Sequence, residues 1–542
     1  MTVGRSRRHF CRTALGTGTV LASLAASRTA AAQPDRPAQP PREPGETRKA
    51  GEPGDAGWPQ DQALPTLPEP YRLDVCEVDR LSADERLLLS TLQGVTARRR
   101  PCVYLSAPFE EGRDTWLREL DVPHAPVDGL AALVRRYRSE IRGAVITDPA
   151  VPATRNVATT LAGLENAVVA TSALASRLGL PVVKDLRGRF KDAHSAYAWA
   201  LKELWPRCTH RMLIAVDPQR NLENLRDYAV AHRAFVVWAD PTRAKEAALL
   251  ASLMRAMPDN SPFLGWFPND RENAGTELAS RHGVYVVAAD YINNLTVLAG
   301  AQRRFASRQP YAAPPRLRHR IYVTFTFTEG DNLQYNQHRL RKLWDDPARG
   351  TVPLNWSVSP LAADAAPVFL AYYQRTATRQ DYLVAGPSGL GYIYPDDWPA
   401  AKLARFTRQT GTYMRDTGLS ALCVLNRAHG KDIDLSAGAA AAYARDVRPA
   451  GIWQHWTSHF GTRLVSGMPI STARLVSDVN GARQILAKAA RGWNGKAPLF
   501  LSVGVLAWNL TPGDVAEIAQ GLDERFTVLR GDQFFELIRQ TR

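Results

Sequence analysis

The stretch RIYVTFTFTEGDNLQYNQ, residues 320–337, decides the fold. Thr324, Thr326 and Thr328 alternate with Phe325 and Phe327, as in a strand whose two faces meet unlike surroundings. A helix is predicted to follow, through about Lys342. The same alternation then runs to the C-terminus. Strands are predicted at Leu354–Ser357, Asp381–Ala385, Ala421–Leu425, Gly451–Gln454, Thr462–Ser466, Leu499–Val505 and Phe526–Leu529. Helical segments such as Leu361–Thr376, Trp398–Thr417 and Pro512–Leu522 separate many of them. Seven or eight β/α units over residues 316–542 make a C-terminal (β/α) barrel-like domain, with an open sheet of the same length as the alternative.

Upstream, residues 69–315 read as an N-terminal open α/β module with parallel sheets, in one piece or in two subdomains split near residue 205. Unbroken apolar runs such as Ala144–Thr147, Met212–Val216, Ala234–Trp238 and Val284–Val287 lie between helical patterns. Such runs form parallel strands covered on both faces. In SADERLLLSTLQGVTARR, Ser82 and Glu85 have the spacing of a helix-capping pair. No G-x-G-x-x-G follows a strand, so no nucleotide fingerprint is present and no cofactor is expected.

The 542 residues carry a formal charge of +15. Residues 1–32 hold five arginines and no acid, so the remainder carries +10. This excess is scattered, without a block of five like charges, which speaks against a nucleic-acid arm; attraction to acidic polymers stays open, but a genome-wide arginine bias is the favoured explanation. Ser6-Arg7-Arg8-His9-Phe10 precedes a weakly apolar stretch and Ala30-Ala31-Ala32, the order of parts in a twin-arginine signal peptide over residues 1–32. That predicts a secreted, extracytoplasmic protein with no membrane anchor in its mature form. Residues 33–68 are rich in Pro, Gly and charge and read as a disordered linker. Cys76, Cys102, Cys208 and Cys423 are too widely spaced for a Cys-x-x-Cys site; the sequence selects no disulfide pairing and no oligomeric state.

Chemistry in a parallel barrel sits at the C-terminal ends of the strands. Glu329 and Asp331 follow the first barrel strand and would lie roughly 6–7 Å apart if the chain stays extended. Asp331 also suits a helix cap. Asn426, Gln454 and His455 follow later strands. The segment GPSGLGYIYPDDWPA, residues 386–400, offers Tyr392, Tyr394 and Asp396; Asp397 there suits a helix cap. Trp356, Trp453, Trp456 and Trp508 fall at or near strand ends, where flat rings can stack on sugars, although packing is the ordinary role of any one of them. His455 and His459 would share one face of a helix and could hold a metal with Asp331. The stronger reading is that His455 lines a cleft as a hydrogen-bonding side chain and His459 is a surface or loop residue, so no metal site is assigned.

GLGYIYP at 389–395 resembles the signature of the GxGYxYP family letter for letter. LSTLQGVTARRRPCVYL, RNVATTLAGLENA, LRDYAVAHRAF and YINNLTV are also similar to that family, so the resemblance spans nearly all of residues 70–540. It departs at Ala97, where the family pattern has asparagine. The family is assigned to glycoside hydrolysis by inference, so the resemblance implies a carbohydrate or polysaccharide ligand more firmly than a reaction. The leading expectation is a hydrolase with Glu329 as general acid and Asp331 or Asp396 as base or nucleophile. Tyr392, Tyr394, Trp356, Trp453, His455, Asn426 and Gln454 would bind the sugar. A metal-dependent polysaccharide deacetylase and an exported glycan-binding protein without turnover are the alternatives.

Overall fold

The computed structural model describes residues 58–328 and 332–541. Three small parallel sheets precede the barrel. In the first, β1 (Leu73–Glu77) lies between β2 (Val103–Ser106) and β3 (His124–Pro126). In the second, β4 (Ala144–Ile146) lies between β5 (Val168–Ala170) and β6 (Val182–Asp185). The third contains β7 (Thr209–Ala215), β8 (Ala234–Val237), β9 (Ser261–Gly265) and β10 (Val284–Val287), in the spatial order β10-β9-β7-β8. The helix Ala83–Ala97 keeps these layers apart. It packs against β5, against β2 and against the helix Arg226–Ala231 of the third sheet. Every residue of it from Leu87 to Ala97 is buried. Its start is fixed by the Ser82–Glu85 capping box, which satisfies two otherwise orphaned backbone donors.

The signal peptide expected over 1–32 and most of the linker expected over 33–68 lie outside the described residues. The end of that linker is packed rather than free. Trp58, Ala63, Leu64 and Leu67 are buried. The Arg211 guanidinium lies 3.9 Å from the Trp58 ring centroid and donates to the Trp58 and Pro59 carbonyls at 2.8 Å. Composition misjudged this piece because four apolar residues suffice to anchor a short strap when a core surface is already waiting for them.

The C-terminal domain is a closed, seven-stranded parallel barrel. Its strands are β11 (Ile321–Thr328), β12 (Leu354–Val358), β13 (Asp381–Ala385), β14 (Leu422–Val424), β17 (Ile452–Gln454), β19 (Met468–Val476) and β20 (Leu499–Leu506). A small hairpin, β15 (Arg427–Ala428) with β16 (Lys431–Asp432), stands apart. The run expected at Thr462–Ser466 is β18 (Gly461–Val465), an antiparallel flap on β19 and not a wall strand. Closure is uneven. Thr326 and Phe327 of β11 pair with β12, while its first residues, Ile321 to Val323, pair with a short eighth strand, β21 (Phe526–Val528). This wedge explains why the count falls between seven and eight.

Alternation along β11 sorts the wall residues as the sequence predicts. Val323, Phe325 and Phe327 join the layer between wall and helices. Tyr322 belongs to the inner cluster with Tyr382, Trp453 and Phe500. The last helix, Gly531–Arg539, closes that end of the barrel. Its Phe534 and Phe535 approach Phe500 and Trp453 with ring centroids 5.4 and 4.4 Å apart. The lumen therefore has an aromatic floor.

Candidate functional site

Above the floor the lumen turns polar. Asn355 donates to the Thr324 hydroxyl at 2.8 Å and to the Thr326 hydroxyl at 3.1 Å, and Ser471 bonds Ser502 at 2.7 Å. His455 follows β17 on the same face as Trp453. A methyl placed on Gly504 of β20 would lie 2.5 Å from its Nδ1, so the ring lies across the lumen against bare backbone. The ring is buried, and among the described residues neither nitrogen has a hydrogen-bond partner. Burial without a compensating charge pushes its pKa down to about 3, so it is a neutral imidazole with one donor and one acceptor to offer. Native interiors leave few such groups unsatisfied.

Glu329 and Asp331, the leading acid candidates, lie outside the described residues. By connectivity they follow Thr328 at the C-terminal end of β11, and the helix Asn332–Gln337 begins directly after them. Amide side chains on and next to this helix tie the barrel to the third N-terminal sheet. Asn332 accepts from Ala288 N–H at 3.2 Å, Gln334 from Tyr291 at 2.8 Å and Gln337 from Asn293 at 3.0 Å. His338, just beyond it, bonds Glu111 at 2.8 Å. Segment 288–293, leaving the C-terminal end of β10, is thereby held over the barrel mouth. It brings a buried carboxylate, Asp290. Asp290 was missed because polar residues beyond strand ends were sought in the barrel alone; the same rule applied after Val287 finds it.

The signature loop faces the same sheet. Tyr392 N–H donates to the Val286 carbonyl at 2.7 Å and Val286 N–H to the Tyr392 carbonyl at 3.0 Å, so GLGYIYP adds a short antiparallel segment to the edge of β10. Gly391 allows this approach: a Cβ there would lie 2.5 Å from the Tyr285 ring and 2.9 Å from the Val286 oxygen. Gly389 has φ +117° and a Cβ there would lie 2.5 Å from Thr410. Tyr392 and Tyr394 are buried, with hydroxyls 3.2 Å apart, and Tyr394 donates to Asn273 at 3.0 Å. Their rings serve the junction and show no open face for a sugar.

The other residues named from the sequence separate into two groups. Asp396 accepts from the Asn426 amide at 2.6 Å, from Ser436 N–H at 2.9 Å and from the Ser436 hydroxyl. Gln454 accepts from Leu435 N–H at 2.8 Å and donates to Ile433 at 2.7 Å. These three side chains pin the loop 426–436 and leave the Asp396 carboxylate engaged. Asp397 is not the expected cap, since Pro399 precedes the helix Ala400–Thr417 without a side-chain cap bond; Asp397 instead lies 3.4 Å from Arg281. Trp356 is buried outside the wall, stacked on Phe327 at 4.6 Å and donating to Asp381 at 2.8 Å, and Trp453 is part of the lumen floor. Trp456 and Trp508, which trail β17 and β20, remain half-exposed at the mouth. Trp508 lies 6.2 Å from Tyr335, and its indole N–H has no partner among the described residues.

The segment 455–459 is not helical. His455 faces the lumen, whereas His459 is exposed beside Asp434 at 3.6 Å. The shared helical face expected of the two histidines does not form. Among the described residues no three His, Cys, Asp or Glu side chains cluster as metal ligands, and none of the cysteines forms a disulfide.

Residues 319–539 match a family model described as "GxGYxYP putative glycoside hydrolase C-terminal domain". Residues 72–139, 141–208 and 210–300 match that family's first, second and third N-terminal domains, one for each of the three small sheets. No curated protein matches the sequence. The crystal structure of "a putative hydrolase from Bacteroides thetaiotaomicron VPI-5482" superposes with a TM-score of 0.79 at 22% identity, over 88% of this chain and 96% of that one, which shows a shared fold. The "putative polysaccharide deacetylase from Mycobacterium smegmatis" reaches a TM-score of only 0.30 at 9% identity, over 43% of this chain and 96% of that one. The "probable Polysaccharide deacetylase from Pseudomonas aeruginosa PAO1" reaches 0.29 at 11% identity, over 41% and 91%. Both likenesses are too slight to define a common architecture. With GLGYIYP joining its barrel to its third sheet, and family models spanning residues 72–539, the chain belongs to the GxGYxYP family.

Proposed function

We propose that this protein hydrolyses glycosidic bonds at the C-terminal end of the barrel, beneath segment 288–293. The observation that carries the reading is His455: a buried, neutral ring in a polar lumen whose two nitrogens have no hydrogen-bond partner among the described residues. A sugar hydroxyl, at once donor and acceptor, supplies what such a ring lacks. Trp456 and Trp508 offer half-exposed faces beside it for stacking on sugar rings, and membership of the GxGYxYP family supports a carbohydrate ligand.

Glu329 acts as general acid, and Asp331 as base or nucleophile. Asp396 drops out of the pair because its oxygens are held by Asn426 and Ser436. Asp290 is a third carboxylate near the mouth, contributed by the N-terminal module. The twin-arginine segment supports export of the enzyme across the cytoplasmic membrane. Assay on a glycan panel tests the assignment. Glu329→Gln is expected to lower kcat by about 10²–10⁴-fold with folding intact, the usual contribution of a positioned acid. Full activity in that variant removes Glu329 from the mechanism.

A further inference from the structure

A recess lies at the end of the barrel opposite His455. It encloses about 500 Å³ between the strap 307–311, the end of the helix Ala400–Thr417 and the turn 447–449. Tyr382, Ser420 and Pro449, at or just before the starts of β13, β14 and β17, form part of its wall. Three exposed guanidinium side chains line it: Arg308, Arg415 and Arg448. Among the described residues none of the three is paired with a carboxylate: Arg415 and Arg448 bond only to oxygens of their own segments. Arg415 donates to the Thr412 hydroxyl at 3.1 Å and Arg448 to the Arg445 carbonyl at 3.3 Å. The acid in the wall, Asp532, is already bound by Arg530 at 2.6 Å and accepts from Ala312 N–H at 3.3 Å. The recess therefore carries an excess of positive charge that the protein does not neutralise.

Its wall is also held in shape. Gly418 has φ +69°, and a Cβ there would lie 2.8 Å from the Arg308 nitrogen, so the strap sits directly on the helix end. Gln309 fixes the strap by donating to Leu383 at 2.7 Å and to Gly418 at 2.9 Å. Arg448 adopts φ +55°, in the left-handed region that favours glycine. Tyr311, also in the wall, is 73% exposed, among the largest exposures of any apolar side chain described.

We infer that this recess binds an acidic sugar residue of a polysaccharide. The guanidinium groups pair with its carboxylate, as planar forks do with planar anions, and Tyr311 packs on the ring. The saccharide identity rests on the carbohydrate reading above; the unpaired charge does not. The site is far along the barrel axis from His455, so it would hold a glycan chain without taking part in its cleavage.

Calorimetric titration of the full chain with tri-galacturonate, a neutral cello-oligosaccharide and inorganic phosphate tests this. Tri-galacturonate is expected to bind in a salt-sensitive manner, and the combined Arg308→Gln, Arg415→Gln and Arg448→Gln variant to bind it about tenfold or more weakly. Tyr311→Ala is expected to weaken it as well, and the neutral oligosaccharide to be indifferent to all four changes. Equal affinity in the wild type and the triple variant overturns the site. Phosphate binding as tightly as the trisaccharide overturns the sugar assignment. Glu329→Gln should leave this binding untouched, so loss of hydrolysis and loss of acidic-sugar binding report separately.

Discussion

His455 shows what a single side chain does in a closed lumen. It fits because residue 504 is glycine. Gly504→Ala would place a methyl 2.5 Å from its Nδ1, with wall strands on either side and little room to yield. Thermal or denaturant unfolding should show a loss of about 1–3 kcal/mol, the common cost of overpacking, and sugar affinity should fall with it. An unchanged melting temperature would mean that the ring is free to swing. At this scale the sequence was readable where the interaction was local. Ser82 and Glu85 declared their cap because both partners lie within one turn. The four tryptophans did not declare their roles. Trp356 and Trp456 both lie at or near a strand end, yet one faces the helices and the other the mouth. That difference depends on which residues the wall strands present to the inside, which no local pattern contains.

At the level of elements, the signature loop is a strand added to a foreign sheet. Gly391→Ala is expected to push Tyr392 off Val286, because the new Cβ would meet both a ring and a carbonyl oxygen. A loss of about 1–3 kcal/mol or more should appear in equilibrium unfolding, with faster hydrogen exchange at Val286 as the specific readout. Slow exchange there with reduced stability would locate the damage elsewhere. Strand periods were legible wherever one face met helices: β13 and β20 fall at or within a residue of their expected bounds. The strand Met468–Val476 went unrecognised. Its Ser471 faces the polar lumen and its Arg474 is half-buried, so MPISTARLV lacks the apolar continuity that marks a parallel strand. The flap before it, GTRLV, took its place in the expected order for the same reason.

Across the whole molecule, buried titrating groups set the response to acid. His232 and His455 are both held near a pKa of about 3 by burial, against 6.5 for the free ring. A depressed histidine stabilises the fold above 6.5, and this is lost as the pH falls toward 3. Asp364, enclosed by Tyr413 and the strap at Leu64, is raised to about 6 by burial. It acts in the opposite sense, destabilising the fold as the pH rises from 3.8 through 6. The two histidines set against Asp364 give a loss of about 2 kcal/mol between pH 6.5 and 5, reduced by Glu110 and Asp227, whose carboxyls burial also raises, so the fold is expected to weaken on acidification. Denaturant midpoints at the two pH values measure this, and a midpoint that holds or rises on acidification contradicts it. The arrangement of the two halves was the least legible feature of the sequence, because the residues that join them sit in loops and amide side chains without periodicity. Their union has an evolutionary corollary. Since Val286 completes its backbone pairing only through Tyr392, a gene rearrangement that supplied either half with a stranger would leave a raw sheet margin open to other chains. Lineages of this architecture are therefore expected to inherit barrel and third sheet as one piece, and to vary by editing loops instead of exchanging domains.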